Sequence, residues 1–216
     1  MSFFIRTGWT AAAIFAAGCF CAVGLSAQQI DGEKFQKYLS SPAHQALVGK
    51  TYASVPKTIF EPCTNIVSKG SNSTLLSAIT FGADGNPTTG TWRQQFPIEA
   101  CGEKIVLNFY FIAADGKING IVGAPGDTRG TLVLQRDTVM YAQMGALRKI
   151  PDCKTLNIKN TRFESFGTPD APDPGPNAKY RPWWETWTMI GCGQSVEVPI
   201  IYQPDATGTT IIQRSK

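Results

Sequence analysis

Four cysteines, Cys63, Cys101, Cys153 and Cys192, constrain this 216-residue chain more than any other feature. Zinc-binding cysteines usually arrive in pairs about two to four residues apart, whereas these four are separated by 38, 52 and 39 positions. An even number of widely spaced cysteines is the pattern of disulfides formed in an oxidising compartment. Connectivity does not follow from a count, because four cysteines allow three pairings.

An offset within the chain selects one pairing. Cys153 lies 90 positions after Cys63, Cys192 lies 91 after Cys101, and Cys101 and Cys192 are both followed by glycine. Alternate residues of a strand share a face, so a one-residue slip would exchange inside for outside. A shift of 91 carries Ile105, Leu107, Phe109 and Phe111 onto Val196, Val198, Ile200 and Tyr202, and Trp92, Phe96 and Ile98 onto Trp183, Trp187 and Met189. All these positions are apolar or aromatic, while on the other face Val106 falls on Glu197 and Asn108 on Pro199. The pattern predicts two tandem copies of an α+β unit, each a helix plus a short antiparallel β-sheet. The copies span residues 28–122 and 123–216, with Cys63 bonded to Cys101 and Cys153 to Cys192. Each closed loop contributes about 4 kcal/mol in a chain-entropy description, against a net domain stability of roughly 5 to 15 kcal/mol.

The amino terminus reads as an export signal. A short basic start with Arg6 precedes an apolar run over residues 8–25, which exits through Leu25-Ser26-Ala27 into Gln28-Gln29. Small residues at the exit predict cleavage after Ala27, making residues 1–27 a signal peptide and the protein periplasmic or secreted. Two alternatives are an uncleaved anchor and lipidation at Cys19, which follows Ala16-Ala17-Gly18. After cleavage no membrane span is expected.

Along the remaining chain, Phe35, Tyr38, Leu39, Ala46 and Leu47 recur at helical spacing around Pro42, predicting one or two short helices. Turn signals at 83–86 and 114–117 separate β-rich runs at 74–81, 91–98, 104–112 and 118–122. Val133, Met140, Met144 and Leu147 form one stripe of a helix over about 132–147. Strands are expected at 156–166, 183–190, 196–202 and 209–212. Four prolines within 167–179 make that stretch a surface loop. Its Asp170, Asp173 and Asn177 do not have the spacing of an EF-hand, so calcium is not assigned.

The densest aromatic patch is 180–187. Trp183 and Trp187 belong to the presumed core face, whereas Trp184, which falls on Arg93 under the 91-residue shift, points the other way. Trp184, Tyr180 and Arg181 are therefore the candidate ligand contacts. His44, the only histidine, reads as a surface residue. Gln135-Arg136-Asp137 reads as an internal ion pair or a charged helix face. Glu164, Asp170, Asp173 and Glu185 contain the carboxylates a glycan hydrolase would need, without any spacing that pairs two across a substrate. No nucleophile elbow, phosphate loop or histidine metal pair is present, so no catalytic residue, cofactor or metal is assigned. A net charge of +4 without a basic run disfavours nucleic acid. The expected function is an exported noncatalytic binding or structural module of the bacterial envelope or periplasm, contacting a protein or peptide. The alternative is a carbohydrate-binding protein or a carboxylate-dependent glycan hydrolase.

Overall fold

The computed structural model describes residues 31–213. The expected signal peptide and Cys19 lie outside them. Two helices come first, α1 (Gly32–Leu39) and α2 (Pro42–Tyr52), each opened by a side-chain cap. The Asp31 carboxylate accepts the Lys34 N–H, and the Ser41 hydroxyl accepts the His44 N–H with Pro42 in the first turn. A 3-10 turn (Lys57–Ile59) follows. Next come β1 (Ile66–Ser68), β2 (Asn72–Leu75), β3 (Thr80–Phe81), β4 (Pro87–Ala100), β5 (Glu103–Ala114) and β6 (Lys117–Val122). The second part holds β7 (Gly126–Asp127), α3 (Leu132–Leu147), β8 (Asn157–Phe166), β9 (Trp183–Gly191), β10 (Gln194–Pro204) and β11 (Thr209–Gln213).

The first sheet has six strands in the order β1-β4-β5-β6, with β2 and β3 also paired to the long β4. The second has five, β11-β10-β9-β8-β7, antiparallel except for the parallel β7–β8 pair. Both disulfides form, Cys63–Cys101 and Cys153–Cys192. Each joins a turn just after a helix to the corner of the longest hairpin in its sheet. In those corners Cys101-Gly102 and Cys192-Gly193 are two-residue turns, with φ of 50° and 86° and of 51° and 72°. Positive φ at both positions matches the twist of the flanking strands. A cysteine in the left-handed region is uncommon, and here the bridge holds it there.

The expected tandem repeat is overturned. The chain is mostly β, with two sheets and three α-helices among the described residues, not two helix-plus-small-sheet units. Three short strands edge β4 in the first sheet, where the second has the single long β8. Two helices precede the first hairpin, and one precedes the second after a parallel β7. The agreement at a 91-residue shift reflects burial inside two long disulfide-cornered hairpins. Trp92 lies opposite Phe111 and Trp183 opposite Tyr202, and alternation forces apolar residues inward on any such hairpin that is covered on one face. It says nothing about the elements around them.

Each hairpin carries its own core. Phe35, Tyr38 and Leu39 of α1 cover Trp92, Leu107, Phe109 and Phe111. Ala142 and Ala146 of α3 cover Trp187, Met189, Val198, Ile200 and Tyr202. His44 is fully buried, contrary to the surface position expected of it. Its ring packs on Phe111 at 5.0 Å and on Tyr38 at 5.0 Å, and Nε2 bonds Gln94 Oε1 at 2.9 Å. The N-terminal turn of α2 faces the sheet, so the third residue of that helix has no route to water.

Candidate functional site

α3 is the element whose sequence and placement disagree most. Its buried side is Gln135, Thr138, Ala142, Gly145 and Ala146. Its apolar stripe faces outward, with Val133 61% exposed, Met140 57%, Met144 48% and Leu147 at the margin. Helix and sheet are too close for it to be otherwise. A Cβ on Gly145 would stand 2.5 Å from Val198 Cγ1 and 2.7 Å from Gln213 Nε2, inside any real contact distance. The aromatic sheet face supplies the bulk, and the helix answers with small residues and a threonine whose hydroxyl meets Tyr202 OH at 3.2 Å. The large apolar side chains of α3 are left on the outside.

Beside this ridge lies a cavity of about 520 Å³ between the two sheets. Ile59, Ile121 and Pro125 form one wall, and Leu132, Val139 and Ile158 face them. Ala124 and Gln135, which line it, belong to a polar joint between the sheets. Asn108 Nδ2 donates to the carbonyls of Ala124 at 2.8 Å and Gly126 at 2.9 Å, and its Oδ1 accepts from Gln95. Gln135 accepts the Ala124 N–H at 2.9 Å and donates to Tyr110 OH and the Gly130 carbonyl. Both side chains are buried and bonded on both ends, so they fix the crossing between sheets and leave few donors for a ligand. Asn108 therefore does not sit on a free, variable face, and Gln135 is not part of a charged surface. Nothing in their local sequence separates an amide that sews two sheets together from one in solvent. Arg136 and Asp137 do lie outside, paired at 3.4 Å.

No protein-family model, curated protein or solved structure matches this chain.

The three candidate contacts, Tyr180, Arg181 and Trp184, lie close together in sequence around the start of β9. Arg181 lies over the Phe166 ring at 3.4 Å and clamps Asp173 with Nε and Nη2, which holds the Asp173 carboxyl down to about 2. It anchors the proline-rich loop. Tyr180 is exposed beside the Lys179 ammonium, 5.1 Å from its ring. Trp184 lies on the face away from α3, between Ser165 and Ile201, and donates its indole N–H to Ser165 Oγ at 2.9 Å.

The four carboxylates that a hydrolase reading would use are dispersed. Asp173 is bound to Arg181, and Glu164 to Arg162 at 2.7 Å. Glu185 is fully buried beneath α3, accepting the indole N–H groups of Trp183 and Trp187 at 3.0 Å each and the Arg129 backbone N–H at 2.8 Å. Tyr202 OH comes within 3.5 Å of it. Burial, then the Glu185 charge, raise the Tyr202 phenol well above its usual range. A carboxylate so enclosed organises the core and is screened from substrate. Among the described residues no group of three or more His, Cys, Asp or Glu side chains could hold a metal.

Proposed function

We propose that this chain is an exported, noncatalytic module of the bacterial envelope or periplasm that binds a protein or peptide through the outer face of α3. The supporting observation is the exposed Val133, Met140, Met144 and Leu147, the first of them lining an apolar cavity, on a helix whose packing forbids turning them inward. Large apolar side chains grouped on one exposed helix face are costly in water and mark interaction sites. Methionine suits a surface that must adapt to a partner. The two disulfides fit a secreted or periplasmic protein, and no helix among the described residues is long and apolar enough to cross a membrane.

A photo-cross-linking residue at Met144, with a control at Asp115 in the far hairpin turn, tests this in the native compartment. Discrete adducts from Met144 that vanish in the Val133→Glu/Leu147→Glu background are expected. Absence of adducts from Met144, or equal adducts from Asp115, would overturn the reading.

A further inference from the structure

The partner-binding reading leaves open how a peptide is held, and the edge of the second sheet suggests a way. β11 is the outermost strand, and among the described residues no strand lies on its far side. The turn before it is closed by Asp205 N–H donating to the Gly208 carbonyl at 2.8 Å, and Pro204, opposite Thr209, has no N–H to give. Hydrogen-bonded pairs alternate along an antiparallel ladder. Thr210 and Ile212 therefore bond β10, and Thr209, Ile211 and Gln213 turn their backbone groups toward the open edge.

α3 runs alongside. Between it and β11 is a groove of about 680 Å³, walled by Arg136, Asp137, Met140 and Tyr141 on the helix and by Thr210 and Ile211 on the strand. At the Thr209 end the groove continues into a hollow of about 320 Å³ that reaches Arg129 and Trp183. The Arg129 guanidinium lies over Phe163 at 4.2 Å and Phe166 at 4.8 Å. Arg136 and Asp137 offset one another, and Arg129 supplies a cation at the Thr209 end of the combined cleft.

We infer that an extended peptide adds to β11 as a further strand, with its backbone on Thr209 and Ile211, an apolar side chain against Met140 and Tyr141, and a carboxylate at Arg129. Backbone pairing would supply affinity in such strand addition, and alternate side-chain pockets would supply specificity. The inference rests on the peptide-binding reading above and specifies the geometry of the contact. The carboxylate is either a C-terminus or an acidic side chain.

To test it, linear twelve-residue phage-displayed peptides are selected on the full chain. The strongest is synthesised as free acid and as C-terminal amide, and each form is titrated into labelled protein followed by amide exchange and chemical shift. Protection of the Thr209 and Ile211 amides is expected. Arg129→Gln, which keeps the backbone N–H that Glu185 needs, should weaken binding about tenfold, the scale of one lost charge-assisted hydrogen bond. Thr209→Pro, tolerated at the first residue of an edge strand, should weaken it about fivefold. A loss on amidation assigns the carboxylate to the C-terminus, and no loss assigns it to a side chain. The inference fails if no peptide is recovered, or if the recovered peptide leaves both amides unprotected and binds both variants like wild type. If in that second case Met144→Glu/Leu147→Glu still abolishes binding, strand addition alone is wrong and the α3 face remains the binding surface.

Discussion

The two long hairpins place a buried polar residue at the same point and solve its burial differently. Gln94 and Glu185 both sit inward on the first strand of their hairpin, seven positions before the corner cysteine. In the first, a neutral amide joins His44 of α2 to Ser71, and the neighbouring Trp92 indole N–H and His44 Nδ1 are left without partners. In the second, a carboxylate collects two indole N–H groups and a backbone N–H, and Trp183 stacks on Tyr202 at 4.7 Å instead of on a phenylalanine. The contrast follows from the covering helix. α1 and α2 bring aromatic bulk and a histidine, so a neutral partner suffices. α3 brings small residues, and the donors that satisfy Glu185 come from the sheet itself and from Arg129 just before the helix.

The largest difference between the hairpins should appear on removing these groups. Glu185→Leu strands the buried indole N–H of Trp187, the partly buried one of Trp183 and a backbone N–H, and is expected to cost about 3 to 5 kcal/mol, read by urea unfolding with the disulfides intact. Gln94→Leu strands only His44 Nε2 and the Ser71 hydroxyl, and should cost about 1 to 2 kcal/mol. Equal losses would collapse the contrast. Removing either bridge by a double Cys→Ala change should cost about 2 to 4 kcal/mol, since both close loops of similar length, 38 and 39 residues.

The disulfide pairing was legible through the offset that relates the two Cys-Gly hairpins, and the faces of those hairpins and the span of α3 through local periodicity. The Asp115-Gly116 turn was legible for the same reason, whereas Cys101-Gly102 and Cys192-Gly193 were not, because cysteine is not a usual residue at positive φ. Tertiary distance was hidden. Val133, Met140, Met144 and Leu147 have the spacing of a core stripe, and it takes the tertiary approach at Gly145, where an added Cβ would stand 2.5 Å from Val198 Cγ1, to show that the opposite side must face the sheet. His44, Asn108 and Gln135 were hidden likewise, since a polar residue in a strand or a first helical turn has the same local signature whether it meets water or a buried partner. The proposed peptide edge joins β11 to Met140 of α3 and to Arg129, which are far from it in sequence and meet it only in the folded chain.

A smaller effect separates the hairpins by pH. Burial, partly opposed by the Gln94 hydrogen bond, lowers the His44 pKa below its ordinary 6.5. Above about pH 6.5 the imidazole is neutral folded and unfolded, and contributes no pH dependence. Below it the unfolded chain takes up the proton first, so stability falls with pH, by up to about 1.4 kcal/mol per unit, until the folded pKa is passed. His44→Gln should flatten that slope in acid unfolding curves. The second hairpin contains no histidine, so a Trp183→Phe reporter there should follow the first only if the two sheets unfold as one unit.

The smallest expected effect concerns Trp184 and its counterpart on the first hairpin, Arg93, both on the faces turned away from the helices. Trp184→Phe removes one partly exposed hydrogen bond, to Ser165, and keeps the ring over the sheet, so the loss should not exceed about 1 kcal/mol. Trp184→Ala uncovers Ile201, which is 7% exposed and opposite it on β10, and should cost about 1 kcal/mol more through lost apolar cover. Neither change reaches α3, β11 or Arg129, so peptide affinity at the strand edge should stay within about twofold of wild type, as for distant independent sites. A large loss of affinity in Trp184→Ala at unchanged stability would move the binding surface to the opposite face of the second sheet, where Tyr180 is exposed. It would also detach function from the exposed stripe of α3.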